Sequence, residues 1–113
     1  MDKTFYLRVR REGLKVKMEQ ADFTDINGTK FPGIRYKISL DDTYEVSVIK
    51  KHGSYGYDED LWEVALCYKN LNLLVNIEED LDLMDDVIGW LNEEEVNDWI
   101  DTFYETYYIK EES

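Results

Sequence analysis

Ile34-Arg35-Tyr36-Lys37-Ile38-Ser39-Leu40-Asp41-Asp42-Thr43-Tyr44-Glu45-Val46-Ser47-Val48 is the stretch that decides the fold. Ile34, Tyr36, Ile38 and Leu40 alternate with Arg35, Lys37 and Ser39, the period of a strand with one buried face. Asp41-Asp42 breaks the run and Tyr44, Val46 and Val48 resume it, so the segment predicts a β-hairpin. Toward the C-terminus, His52 to Asp60 reads as a glycine-bearing loop, and Trp62, Val64, Leu66 and Tyr68 form one face of a further strand. Asn70 is a turn residue before Leu71, Leu73, Val75 and Ile77, which predicts another hairpin. Toward the N-terminus, Phe5, Leu7 and Val9 alternate with Tyr6, Arg8 and Arg10, and Leu14, Val16 and Met18 alternate with Lys15, Lys17 and Glu19. Arg11-Glu12-Gly13 between them has the glycine that a short turn wants, so these two runs are expected to pair. Asn27-Gly28 and Pro32-Gly33 mark residues 22–33 as a loop.

The period then changes. Asn92 followed by Glu95 is a capping-box pattern, and Glu93, Glu94 and Glu95 sit where a helix dipole favours negative charge. Val96, Trp99, Ile100, Phe103 and Tyr107 fall on one helical stripe. Asp86 to Leu91 reads as a short turn before this helix that packs Val87, Ile88 and Trp90. The expected architecture is a single α+β domain over residues 1–113: an antiparallel sheet of about five to six strands with a C-terminal amphipathic helix packed on it.

Charge is unevenly distributed. Residues 1–51 carry 11 Lys+Arg against 8 Asp+Glu, a net of +3, whereas residues 52–113 carry 2 against 18, a net of −16. Crowding like charge works against the compact state, so the asymmetry points to a partner. Polyanions are bound through Lys and Arg, which disfavours direct nucleic-acid binding. An anionic membrane surface would repel the chain, and no window approaches the roughly 18 apolar residues of a membrane span. One cysteine, Cys67, and no export-type leader make a cytoplasmic location the expectation.

No catalytic or metal signature emerges, and neither cofactor nor metal is expected. His52-Gly53-Ser54-Tyr55-Gly56 lacks the Gly-Lys-Ser/Thr ending of a phosphate loop and runs into Asp58, Glu59 and Asp60. An EF-hand opening at Asp80 would place Met84, Asp85 and Leu91 where a ligand, a glycine and a bidentate glutamate are required. His52 and Cys67 are the only imidazole and the only thiol, and Cys67 reads as a small buried hydrophobe in mid-strand.

The acidic segments are more informative. Glu94, Asp98, Asp101 and Glu105 line one edge of the helix at intervals of about 5.5 Å, wider than the roughly 3.4 Å phosphate spacing along one DNA strand. Asp58, Glu59 and Asp60 form a second group, and Glu78, Glu79, Asp80 and Asp82 a third. Tyr55 and Tyr57 beside the first loop would serve as aromatic anchors of an interface.

Ser54-Tyr55-Gly56, Leu61-Trp62-Glu63-Val64-Ala65, Asp85-Asp86-Val87-Ile88-Gly89-Trp90-Leu91 and Glu94-Glu95-Val96 together resemble a pattern of small uncharacterised proteins of phages and mobile elements in Gram-positive bacteria. The resemblance implies a phage-type accessory protein and carries no catalytic residues. In size and charge the chain is also similar to acidic anti-CRISPR proteins and other DNA mimics. The expected function is therefore non-enzymatic: inhibition by binding the basic nucleic-acid-binding surface of a host protein, for example a Cas9-type nuclease. A structural or assembly accessory protein, with acidity serving solubility alone, is the alternative. A small enzyme without a familiar motif would require a pocket holding a carboxylate of perturbed pKa. A separate, intramolecular alternative is that the basic strands around Arg8, Arg10, Lys15, Lys17, Arg35 and Lys37 face the acidic helix and neutralise part of it.

Overall fold

The computed structural model describes residues 3–71, 73–81 and 83–109. In chain order the elements are β1 (Lys15–Gln20), β2 (Phe23–Thr24), β3 (Lys30–Phe31), β4 (Ile34–Ser39), β5 (Tyr44–Lys50), β6 (Trp62–Tyr68), β7 (Leu73–Leu74), α1 (Ile77–Leu81), β8 (Val87–Leu91) and α2 (Glu93–Phe103). A π-helical extension, Tyr104–Ile109, continues α2.

The alternation in the deciding stretch becomes register. β4 and β5 pair antiparallel with Tyr36 opposite Val48 and Ile38 opposite Val46. Asp41 builds the connection, its Oδ1 accepting from the N–H groups of Thr43 and Tyr44, both at 2.8 Å. The six-stranded antiparallel sheet runs β1-β4-β5-β6, and both β7 and β8 lie along the far edge of β6. Ile34, Tyr36 and Ile38, Val46 and Val48, and Trp62, Val64 and Leu66 are buried on one face of this sheet. The alternate residues, among them Arg35, Lys37, Ser47 and Glu63, form an open face on the other side.

Helix α2 covers the buried face. Its start is the expected capping box: the Asn92 side chain accepts from the Glu95 N–H at 2.8 Å, and the Glu95 carboxylate accepts from the Asn92 N–H at 3.1 Å. Val96, Ile100, Phe103 and Tyr107 join the core and Trp99 packs half-buried against it. Fully burying a side chain the size of Ile100 or Phe103 contributes about 1.5–3 kcal/mol, more than the cap's roughly 1 kcal/mol, so packing outweighs capping.

Four expectations are corrected. Residues 5–9 do not pair with 14–18; β1 pairs with β4, and Lys3 to Arg11 forms an extended strap beside α2 on the covered face. The strap buries Leu7 and packs Phe5 and Val9 against the core, while side chains from the rest of the fold satisfy its backbone. The Leu7 N–H donates to the Tyr36 hydroxyl, which donates in turn to the Phe5 carbonyl. Buried Asn97 accepts from the Arg10 N–H at 2.7 Å and donates to the carbonyls of Arg8 and Glu93. An alternating run needs one apolar face and saturated backbone groups, and the strap obtains both without a neighbouring strand.

The strand expected over 71–77 is reduced to the two residues of β7, with Ile77 opening α1. The turn expected over Asp86–Leu91 is strand β8, paired with β6 through Leu91–Trp62, Ile88–Val64 and Val87–Ala65. The register shifts between Trp62 and Val64, so Gly89 and Trp90 bulge outward. Trp90 is 57% exposed, the reverse of the packed role expected for it. The loop over 22–33 contains the two-residue strands β2 and β3, closed at Asn27-Gly28.

Candidate protein-binding surface

The acidic groups divide according to what the fold does with them. Asp98 and Asp101 face the strap: Arg10 pairs with Asp98 at 3.0 Å and with Asp101 at 2.7 Å, and Arg11 pairs with Asp101 at 2.9 Å. Burial pushes the Asp101 carboxyl pKa upward, but hydrogen bonds from Arg10 and Arg11 outweigh it and hold the group below its ordinary value. The internal neutralisation expected of the basic residues is thus seen for Arg10, joined by Arg11, which was not among those expected. Arg35 and Lys37 project from the open face of the sheet and leave the helix alone.

Asp60 is likewise drawn inward. It accepts from Lys50 Nζ at 2.7 Å and from the Thr4 N–H at 2.7 Å, with the Lys50 ammonium 4.3 Å from the centroid of the Trp62 ring. Lys50 is only 1% exposed, and it also donates to the Thr4 carbonyl. Burial raises the Asp60 pKa, but these donors lower it by more, for a net depression. Asp80 accepts from the Tyr107 hydroxyl at 2.9 Å and ties α1 to the end of the helical extension.

Asp58, Glu59, Glu78, Glu79, Glu94 and Glu105 are exposed, and no ion pair involves them among the described residues. Glu78, Glu79, Glu94 and Glu105 stand on the helical layer that covers the sheet, and Asp58 and Glu59 on the 3-10 turn Tyr57–Glu59 between β5 and β6. Asp82 lies outside the described residues. Of the two expected anchors, Tyr55 is 52% exposed. Tyr57 is buried to 5%, donates its hydroxyl to the Pro32 carbonyl and therefore packs the loop without presenting a ring to a partner.

The open face has the opposite character at one end. Lys15, Lys17, Lys37 and Lys69 line a recess of about 490 Å³ together with Glu45. Glu19 engages Lys17 at 3.4 Å and Lys37 at 3.6 Å, a pairing that lowers its pKa. An adjoining groove of about 320 Å³ contains Arg35, Ile49, Glu63 and Cys67. Burial pushes the Glu63 carboxyl above its usual range, and both burial and Glu45 push the Cys67 thiol upward, away from the thiolate that chemistry would need. Cys67 is half-buried on this face, more exposed than the core role expected of it, while His52 stacks on Phe31 and Phe23 at centroid distances of 4.4 and 5.1 Å. No helix among the described residues is long and apolar enough to cross a membrane.

Sequence reasoning missed Trp90, which adopts left-handed backbone geometry at φ 62°. That conformation costs about 1–3 kcal/mol for a bulky residue. Its only signal in the sequence is Gly89 beside it. Comparisons with family models, with curated proteins and with solved structures give no match, and the functional reading rests on the chemistry of this surface.

Proposed function

We propose that this protein is a non-enzymatic acidic binder, a phage-type inhibitor that occupies the basic nucleic-acid-binding surface of a host protein as a DNA mimic. A Cas9-type nuclease is the concrete target class, because it holds nucleic acid in positively charged channels. The observation that carries the proposal is segregation of charge by face. Carboxylates at Glu78, Glu79, Glu94 and Glu105, without an ion-pair partner among the described residues, stand on the helical layer, whereas the strand cations Lys15, Lys17, Arg35 and Lys37 point from the opposite side. The seam at Arg10 supports it further, since a guanidinium there is met by two carboxylates of the same helix edge.

Competition with duplex DNA tests the proposal. At about 0.1 M salt the protein displaces a labelled duplex from a guide-loaded Cas9-type nuclease, and at about 0.5 M screening abolishes the effect. A triple variant, Glu79→Lys with Glu94→Lys and Glu105→Lys, competes at least about tenfold less well, as expected for a lost charge-steered contact. Asp98 and Asp101 are left unchanged because reversing them would release the strap. Equal competition by wild type and variant would contradict the proposal.

A further inference from the structure

Trp90 is costly to the fold and useless to its core. Leu91 and Ile88 on either side make the pairings with β6, while Trp90 takes a strained left-handed conformation and leaves more than half its surface in water. Glycine would hold that backbone without strain. The position is nonetheless built with care. The loop before β6 crosses β8 so closely that a Cβ on Gly89 would lie 2.3 Å from the Tyr55 Cβ, and a Cβ on Gly56 would lie 3.2 Å from the Trp90 Cα. These two glycines fix the backbones of Tyr55 and Trp90 at one crossing, with both side chains exposed.

The surroundings are anionic. Asp58 and Glu59 follow Gly56 on the 3-10 turn. Glu63 lies close enough for its carboxyl, raised chiefly by burial, to respond to the Tyr55 backbone and to the charges of Lys51 and Asp85. Exposed aromatic side chains with carboxylates on the adjoining turn complement a cation, and a guanidinium suits them better than an ammonium because it is planar, weakly hydrated and stacks on rings.

We propose that Tyr55 and Trp90 form an aromatic anchor that takes an arginine side chain of the partner's basic surface, with Asp58, Glu59 and Asp85 supplying the counter-charge. This rests on the function proposed above and names the chemistry of the group recognised.

Titration with oligoarginine and with oligolysine of equal length, followed by calorimetry at low salt, tests it. Wild type binds oligoarginine the more tightly. Trp90→Gly, and independently Tyr55→Ala, which keeps the Cβ against Gly89, weaken oligoarginine binding about 5- to 20-fold and erase the preference over oligolysine. The urea midpoint of Trp90→Gly stays level or rises, because the left-handed strain is relieved. Reversal of Glu94 and Glu105 weakens both peptides alike. Unchanged arginine binding in both aromatic variants, with the charge-reversed variant still impaired, would overturn the anchor and leave the acidic binder standing. A wild type that binds neither peptide would overturn both proposals. A midpoint that falls as for a core residue, or a homodimer lost on substituting Trp90, would assign Trp90 to packing or self-association and overturn the anchor.

Discussion

The carboxylates along the strap and those on the outer helical layer have the same chemistry and opposite employment. Asp60, Asp98 and Asp101 are consumed by Lys50, Arg10 and Arg11, which fasten an extended N-terminal segment to the core. Glu79, Glu94 and Glu105, on α1, α2 and its extension, have no such partner among the described residues. The difference teaches that net charge overstates the surface on offer. Part of the acidity in this chain is structural, and only the remainder is available to a partner.

Substitutions along the seam break the comparison on its structural side. Lys50→Met removes the buried cation while keeping its volume, strands Asp60, and is expected to cost about 3 kcal/mol or more in urea unfolding. Adding Asp60→Asn returns part of that loss, because the uncompensated charge is gone. Asn97→Ala leaves the Arg10 N–H and the Arg8 carbonyl without partners and is expected to cost about 2 kcal/mol by the same measurement.

Acid tests both seam carboxylates together. The folded pKa values of Asp60 and Asp101 lie below the ordinary 3.8, so their stabilisation is present above that value and disappears as pH falls through the folded pKa. Unfolding midpoints are therefore expected to hold at neutral pH and to drop below about pH 4. In a Lys50→Met, Arg10→Gln, Arg11→Gln variant this acid-dependent drop is smaller. The smallest effect sharpens the other side: Glu94→Lys with Glu105→Lys is expected to change stability by no more than about 0.5 kcal/mol, the usual bound for exposed positions. A large loss there would show that these acids too belong to the fold.

The sheet was legible wherever alternation coincided with pairing. Tyr36, Ile38, Val46 and Val48 declared their face and register, and Asn92 with Glu95 declared the start of α2. The strap was illegible for a physical reason: Phe5, Leu7 and Val9 satisfy the same period-two rule as Val16 and Met18, and periodicity reports a buried face without saying what saturates the backbone. Hydrogen bonds with the side chains of Asn97, Tyr36 and Asp60, as many as 89 positions away, settle that question and leave no local trace. Val87–Leu91 escaped because Gly89 suggested a break where a bulge was needed. The same bulge turned Trp90 from an expected core residue into an exposed one. Among the expected interface residues, Tyr57, Asp60, Asp98 and Asp101 proved to have partners inside the molecule, which a list of charges along the chain cannot reveal.

The most direct test of the central claim is the rate at which the protein associates with a Cas9-type nuclease as ionic strength rises from about 0.05 to 0.5 M, where the screening length shortens to a few ångströms. A rate that falls steeply with salt in wild type, and far less steeply after Glu79, Glu94 and Glu105 are replaced by glutamine, is the predicted result. A rate indifferent to salt, or equally sensitive in both proteins, would contradict the claim that the outer carboxylates recognise a basic surface.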